Sequence, residues 1–153
     1  MTQIWKQPLN LAPFEPVIDQ TIVGHMGIEF IEFGPDFISA AMPVDQRTIQ
    51  PMGILHGGAS VVLAETLGSV ASFLALDSDH YSVGLQITAN HLKQVRQGKV
   101  TGTVRPVHLG RTTHVWDITI ENEAKEPVCV SRLTMAVMAV AKMESPGSGE
   151  SPE

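Results

Sequence analysis

Apolar and polar residues alternate along this chain with two different periods, and each change of period marks an element. Ile28-Glu29-Phe30-Ile31-Glu32-Phe33 and Phe37-Ile38-Ser39-Ala40-Ala41-Met42-Pro43-Val44 are strand-like runs, and Gly34-Pro35-Asp36 between them has hairpin-turn chemistry. From about Gly57 to Leu76 the pattern predicts a helix that is apolar on almost every side, through Val61, Val62, Leu63, Ala64, Leu67, Val70, Ala71, Phe73 and Leu74. A helix of that kind has to be buried. Asp77-Ser78-Asp79-His80 closes it as a loop, and the period then becomes two. Val83, Leu85, Ile87 and Ala89 are expected on the core face of a strand, with Gly84, Gln86, Thr88 and Asn90 on the other. After the turn Gln97-Gly98-Lys99, a strand is predicted over Val100 to His108. Another covers His114 to Glu121, with Trp116, Ile118 and Ile120 on one face, and a last one Pro127 to Ala141 beyond the charged tip Glu121 to Glu126.

A hairpin, one long helix and then antiparallel strands with short links define an α+β fold. One sheet hides a helix that is apolar all round only by curling about it, so the expected architecture is a long central helix wrapped by an antiparallel β-sheet. Residues 1–25, with Pro8, Pro13 and Pro16 and one or two helical turns between Val17 and Val23, are expected to form an arm or lid. Residues 26–141 carry the domain. Residues 142–153 are small, polar and rich in Pro and Gly, and are expected to be disordered.

Length and composition narrow the class. A chain of 153 residues, 43% hydrophobic, builds one ordinary domain. No apolar run is expected to reach the roughly 20 uncharged residues that cross a bilayer, the Ser, Thr, Gly and Glu interruptions marking a core helix. The start of the chain has no basic region followed by an apolar stretch, so a cytoplasmic location is expected. With 10 Lys and Arg against 16 Asp and Glu the net charge is −6, which argues against nucleic acid as a partner. Cys129 is the only cysteine and is expected to be a buried structural thiol.

Candidate chemistry gathers on the helix. Glu65, Ser69 and Ser72 follow one another at i, i+4 and i+7 and would form a polar stripe on an oily cylinder. A carboxylate sheltered there is suited to act as nucleophile or general base, oriented by Ser69. Gly57 and Gly58 stand at the helix N-terminus, where backbone N–H groups are open to an anionic acceptor, and the Gly57 amide is the natural oxyanion donor. Eight residues of helix place Gly57 and Glu65 about 12 Å apart along the axis, too far to share one carbonyl. Two antiparallel copies of the helix across a twofold axis would bring them together, so at least a homodimer is expected.

Other chemistries are poorly supported. His-Gly-Gly-Ala at His56–Ala59 evokes a serine-esterase oxyanion strand, but the chain has no G-x-S-x-G elbow and Ser60 has no evident base. His25, His56, His80, His91, His108 and His114 have none of the spacings of a metal site, and no metal or cofactor is expected. His56 beside Gly57 is placed to meet a substrate carbonyl, and His91 to line an acyl pocket. Glycine-rich phosphate loops are absent, so phosphates would be met by side chains, with Lys93, Arg96, Lys99, Arg111 and Arg132 as candidates.

Several motifs together carry a resemblance. They are Met42-Pro43-Val44-Asp45, Arg47-Thr48-x-Gln50-Pro51-x-Gly53, Leu55-His56-Gly57-Gly58-Ala59-Ser60-Val61-Val62-Leu63-Ala64-Glu65, Gly68-Ser69, Ala89-Asn90-His91 and Pro106-x-His108-Leu109-Gly110. Over about Met26 to Val140 the chain resembles the hotdog-fold acyl-CoA thioesterases, in the group related to 1,4-dihydroxy-2-naphthoyl-CoA hydrolase and the enterobactin proofreading thioesterase. The resemblance implies a hotdog fold assembled as dimers and commonly as tetramers, dimers of dimers. It implies hydrolysis of an acyl-CoA, aromatic or medium-chain, without a cofactor. By motif position it makes Glu65 the catalytic carboxylate and Gly57 the carbonyl donor, helped by Gln50 and His56, with Ser69 near the hydrolytic water and His91 near the acyl pocket. Gln50 enters on the resemblance alone. The hydratase branch of the fold uses a different His-and-acid motif, which this chain lacks. Two alternatives stay open: a thioesterase acting on acyl-carrier proteins, and a non-catalytic acyl-CoA-binding protein.

Overall fold

The computed structural model describes residues 2–141, so the expected disordered tail lies outside the described residues. Six strands form one antiparallel sheet: β1 (Glu29–Phe33), β2 (Ile38–Pro43), β3 (His80–His91), β4 (Lys99–Leu109), β5 (Thr113–Glu121) and β6 (Pro127–Ala139), in the order β1-β2-β4-β5-β6-β3. Two short helices, α1 (Glu15–Ile18) and α2 (Ile22–His25), precede the sheet, and α3 (Gly57–Ala75) is the long helix the sequence predicts. The first hairpin closes as expected, with Gly34 N–H donating to Phe37 O at 2.9 Å and Phe33 opposite Ile38.

The sheet wraps α3, which packs against β2, β3, β4, β5 and β6. Ile38, Met42, Val100, Val104, Trp116, Ile118, Ile120 and Leu133 close over Leu63, Leu67 and Leu74 to make the core. Burying each such side chain stabilises the fold by roughly 1.5–3 kcal/mol, which is why strand periodicity here follows the core. Cys129 is buried, 3.6 Å from Ser131 Oγ, and burial pushes its thiol above the ordinary cysteine value.

Three expectations are corrected. The helix is not enclosed on all sides: Ala59, Leu63, Ala64, Leu67, Gly68, Ala71 and Ser72 are buried, whereas Glu65 and Phe73 are exposed and Val61, Val62, Ser69 and Val70 half-buried. The sheet ends at β3 and covers one side of α3, so this chain by itself does not shelter the Glu65 carboxylate. By length and composition α3 is also apolar enough to span a bilayer, contrary to the expectation from sequence; the fold uses it as a core helix.

The simple alternation expected for β3 also fails. Its pairing with β6 slips between Gly84 and Gln86, making Leu85 the extra residue of a β-bulge. Ile87 and Ala89 pack against the core, but Val83 and Leu85 are exposed. The N-terminal arm is anchored on the core at Trp5. That side chain is buried, stacks on Trp116 with 6.4 Å between ring centroids, and donates its indole N–H to Gly34 O at 2.7 Å. Lys6 N–H and Gln7 N–H both donate to Leu74 O, at 2.8 and 3.0 Å, and so cap the end of α3.

Candidate active site

The site begins in the link between β2 and α3. Thr48 is buried and its hydroxyl donates to Pro43 O at 2.7 Å and accepts from Asp45 N–H at 3.2 Å, while its carbonyl accepts the His56 N–H at 2.8 Å. Arg47 pairs with Asp45 at 2.7 Å, and its hydrogen bonds hold that carboxyl below the usual carboxylate range. Between these anchors the chain makes a small hairpin: Gln50 N–H donates to Ile54 O and Gly53 N–H to Gln50 O, both at 2.9 Å. Gly53 has φ +78°, a backbone region that favours glycine. The Gln50 side-chain oxygen accepts the Met52 N–H, which leaves its amide NH2 as the free donor.

His56 is the N-cap of α3. Its Nδ1 accepts the Gly58 N–H at 2.8 Å, so in the neutral ring the proton is on Nε2, making that nitrogen the donor. The two glycines answer to crowding by imidazoles. A Cβ on residue 57 would come 2.8 Å from His91 Nε2, and one on residue 58 would come 3.0 Å from His56 Nδ1. The Gly57 N–H has no acceptor among the described residues and stands at the positive end of the helix dipole.

Gln50, Gly57, His91 and Lys93 line one cavity of about 430 Å³, together with Leu55 and Ser60. Gln50, His56 and Gly57 also line an adjoining cleft of about 440 Å³. The structure thus gathers four of the residues singled out from sequence, with His56 at their edge. Glu65 and Ser69 line neither cavity. They lie further along α3 on its uncovered side, as the axial separation from Gly57 requires.

The expected stripe of Glu65, Ser69 and Ser72 is broken. Ser72 is fully buried, accepting the Trp116 indole N–H at 2.7 Å and bonding His114 Nδ1 at 3.1 Å. Ser69 makes no hydrogen bond to Glu65 among the described residues, so it does not orient that carboxylate here. Two of the basic candidates are occupied. Lys93 is paired with Glu126, whose carboxyl the lysine and Asn122 hold below its usual value. Arg132 donates to both oxygens of Asp117, at 2.7 and 3.0 Å, outside the cavities that Gly57 lines. Arg111 shares a cavity of about 450 Å³ with Lys6, His80, His114 and Asp77 at the other end of α3, and Asp77 is engaged by His80 at 2.7 Å. Among the described residues Arg111 and Lys6 have no carboxylate partner.

Sequence reasoning named Thr48 only within the Arg47-Thr48-x-Gln50 motif, without its anchoring role, and missed Lys6. The Asp45-x-x-Thr48 spacing was a usable signal for the first, since Thr hydroxyls close turns of this kind. No local signal existed for Lys6, which reaches its cavity only because Trp5 is anchored in the core.

A family model described as the thioesterase superfamily matches residues 52–129, a span holding His56, Gly57, Glu65, Ser69 and His91. The chain belongs to that superfamily. Relatives agree: 1,4-dihydroxy-2-naphthoyl-CoA hydrolase of Escherichia coli K12 is 46% identical over 135 residues, 88% of this chain and 99% of that protein. The proofreading thioesterase EntH of Cronobacter turicensis is 47% identical over 88% of this chain and 98% of that one. A crystal structure of a thioesterase from Haemophilus influenzae matches with a TM-score of 0.88 at 47% identity, over 94% of this chain and 100% of that one. The fold is therefore the hotdog fold, and this thioesterase is a thioester hydrolase.

Proposed function

We propose that this thioesterase hydrolyses acyl-CoA esters with an aromatic or medium-chain acyl group, at sites shared between two protomers. The observation that carries the reading is the free Gly57 N–H at the head of α3, opening on a cavity with Gln50 and His91, while Glu65 stands on the uncovered side of the same helix. A helix open on that side and a sheet ending at β3 suit a second copy packed antiparallel, which would shelter Glu65 and bring it beside the partner's helix start. Homodimer is the minimum; a homotetramer built as a dimer of dimers is the fuller expectation.

In this reading the thioester carbonyl oxygen accepts from Gly57 N–H, with the Gln50 amide and His56 Nε2–H as further donors. Glu65 acts in one of two ways. As a base it takes a proton from water, the hydroxide adds to the carbonyl carbon, and the C–S bond breaks as the thiolate leaves and regains that proton. As a nucleophile it adds through a carboxylate oxygen and expels the thiolate, and water then cleaves the mixed anhydride. Either way negative charge grows on the oxygen facing Gly57, and a donor so placed contributes roughly 3–4 kcal/mol to the transition state in comparable sites. The role near the hydrolytic water that the resemblance implies for Ser69 belongs to this reading as well. Of the basic side chains, Lys93 is the one that shares the Gly57 cavity, where Glu126 pairs with it, whereas Arg111, without a carboxylate partner among the described residues, lies at the other end of α3 and would meet phosphates only from there.

The test is thiol release across benzoyl-, naphthoyl- and aliphatic-CoA esters, with an aryl-carrier-protein ester included because of the similarity to a proofreading thioesterase. Turnover of CoA esters by a species that sediments as a dimer or larger supports the reading. Turnover of the carrier-protein ester alone moves the substrate to the second reading. Activity in a strict monomer, or saturable CoA-ester binding without thiol release, removes the shared-site mechanism.

A further inference from the structure

Gly84 lies on β3 opposite Met135 of β6, at the point where the register slips. Because Leu85 is the extra residue, Val83 and Leu85 both face outward, at 47% and 63% exposure, and residue 84 is left turned toward α3. A Cβ built on Gly84 would lie 2.9 Å from Glu65 Oε1; the nearest other atom outside Glu65 is Met135 Sδ at 3.9 Å, an ordinary contact.

Nothing in the backbone calls for glycine here. The described glycines with positive φ are Gly27, Gly53 and Gly98, so Gly84 has a conformation open to any residue. Glycine within a strand weakens it, and often marks a place where another group comes close. The group that comes close is the carboxylate of Glu65. That side chain has no hydrogen bond or ion pair among the described residues, so the space around it sets where it stands.

We propose that Gly84 is a positioning residue for Glu65: the missing side chain keeps open the place the carboxylate occupies, and the Leu85 bulge keeps that open position turned to the helix. This rests on the reading of Glu65 as the reacting carboxylate. A methyl group on residue 84 meets only the far end of a flexible side chain, so Glu65 gives way and the core does not. Restoring an ordinary contact of about 3.5 Å moves the carboxylate by roughly half an ångström or more. Displacements near 1 Å cost up to about a hundredfold in rate.

The experiment is Gly84→Ala, measured for Tm, KM and kcat on the substrate that the thiol-release screen identifies, beside Glu65→Gln. The expected result is a Tm equal to or above the parent's, a KM within about twofold, and a kcat lowered by about ten- to a hundredfold. A kcat within about twofold of the parent overturns the proposal. So does a lost kcat accompanied by a lowered Tm, because the methyl would then be damaging the fold and not moving Glu65. The two readings fail separately: turnover retained in Glu65→Gln removes the role of Glu65 and this proposal with it. Turnover lost in Glu65→Gln but normal in Gly84→Ala removes this proposal alone.

Discussion

The His91 ring is packed so closely on Gly57 that a Cβ at residue 57 would come 2.8 Å from Nε2. A histidine at the end of β3 thereby explains a glycine at the start of α3. The pair lies on the cavity that holds the free Gly57 N–H, so space and hydrogen-bond donor coincide there.

Gly57→Ala keeps the N–H and adds a residue that favours helix, so helix stability is expected to be little changed. The methyl crowds His91 toward the cavity and, in the proposed site, would displace the thioester carbonyl from the Gly57 N–H. We expect kcat/KM to fall by about ten- to a hundredfold with Tm close to the parent's, checked by steady-state kinetics and thermal melting. Unchanged kinetics would separate the crowding at Gly57 from catalysis.

Ser72→Ala tests a different bond. Its hydroxyl is the partner of both Trp116 Nε1 and His114 Nδ1, and all three side chains are buried. Alanine leaves two buried polar groups without that partner, and the expected loss is about 1–3 kcal/mol, or several degrees in Tm for a domain of this size. Ser69→Ala breaks no hydrogen bond among the described residues and should leave Tm within about a degree. Equal losses for the two variants would contradict the partition of the serines.

His114 sets an acid limit on stability. Burial, and then the positive charge of Lys6 and His108, push its pKa below the ordinary value of 6.5. The unfolded chain therefore takes up a proton on this ring before the folded one does. Its contribution is fully present above about 6.5 and is lost progressively as pH falls through that value toward the lower, folded one. Asp45, Asp77 and Glu126, all held below their usual range, add losses only further into acid. In Tm measured from pH 8 to about pH 5, His114→Gln should show a shallower decline than the parent. Parallel curves would place the acid sensitivity elsewhere.

The local elements were legible in the chain. Gly34-Pro35-Asp36 gave the first hairpin, and the apolar run from Gly57 gave α3 to within a residue of its end, because turn chemistry and side-chain period act over a few neighbouring positions. The distance between Gly57 and Glu65 followed as well, since helix rise is the same in any surroundings. The fate of Ser72 did not. Glu65, Ser69 and Ser72 repeat with one helical period, yet one serine is bonded to β5 and another is half-buried, depending on which strand lies over each turn.

What the sequence by itself determined is the order of elements, the identity of the core helix and the set of groups available for chemistry, all properties of near neighbours along the chain. Tertiary structure alone decided that His91 lies on Gly57, that Gly84 faces Glu65 across a bulge, and that Lys93 and Arg132 are held by Glu126 and Asp117. Each of those depends on which residues the sheet register sets opposite one another. A slip of one position turns a side chain to the other face, and that outcome is settled by packing across the whole sheet.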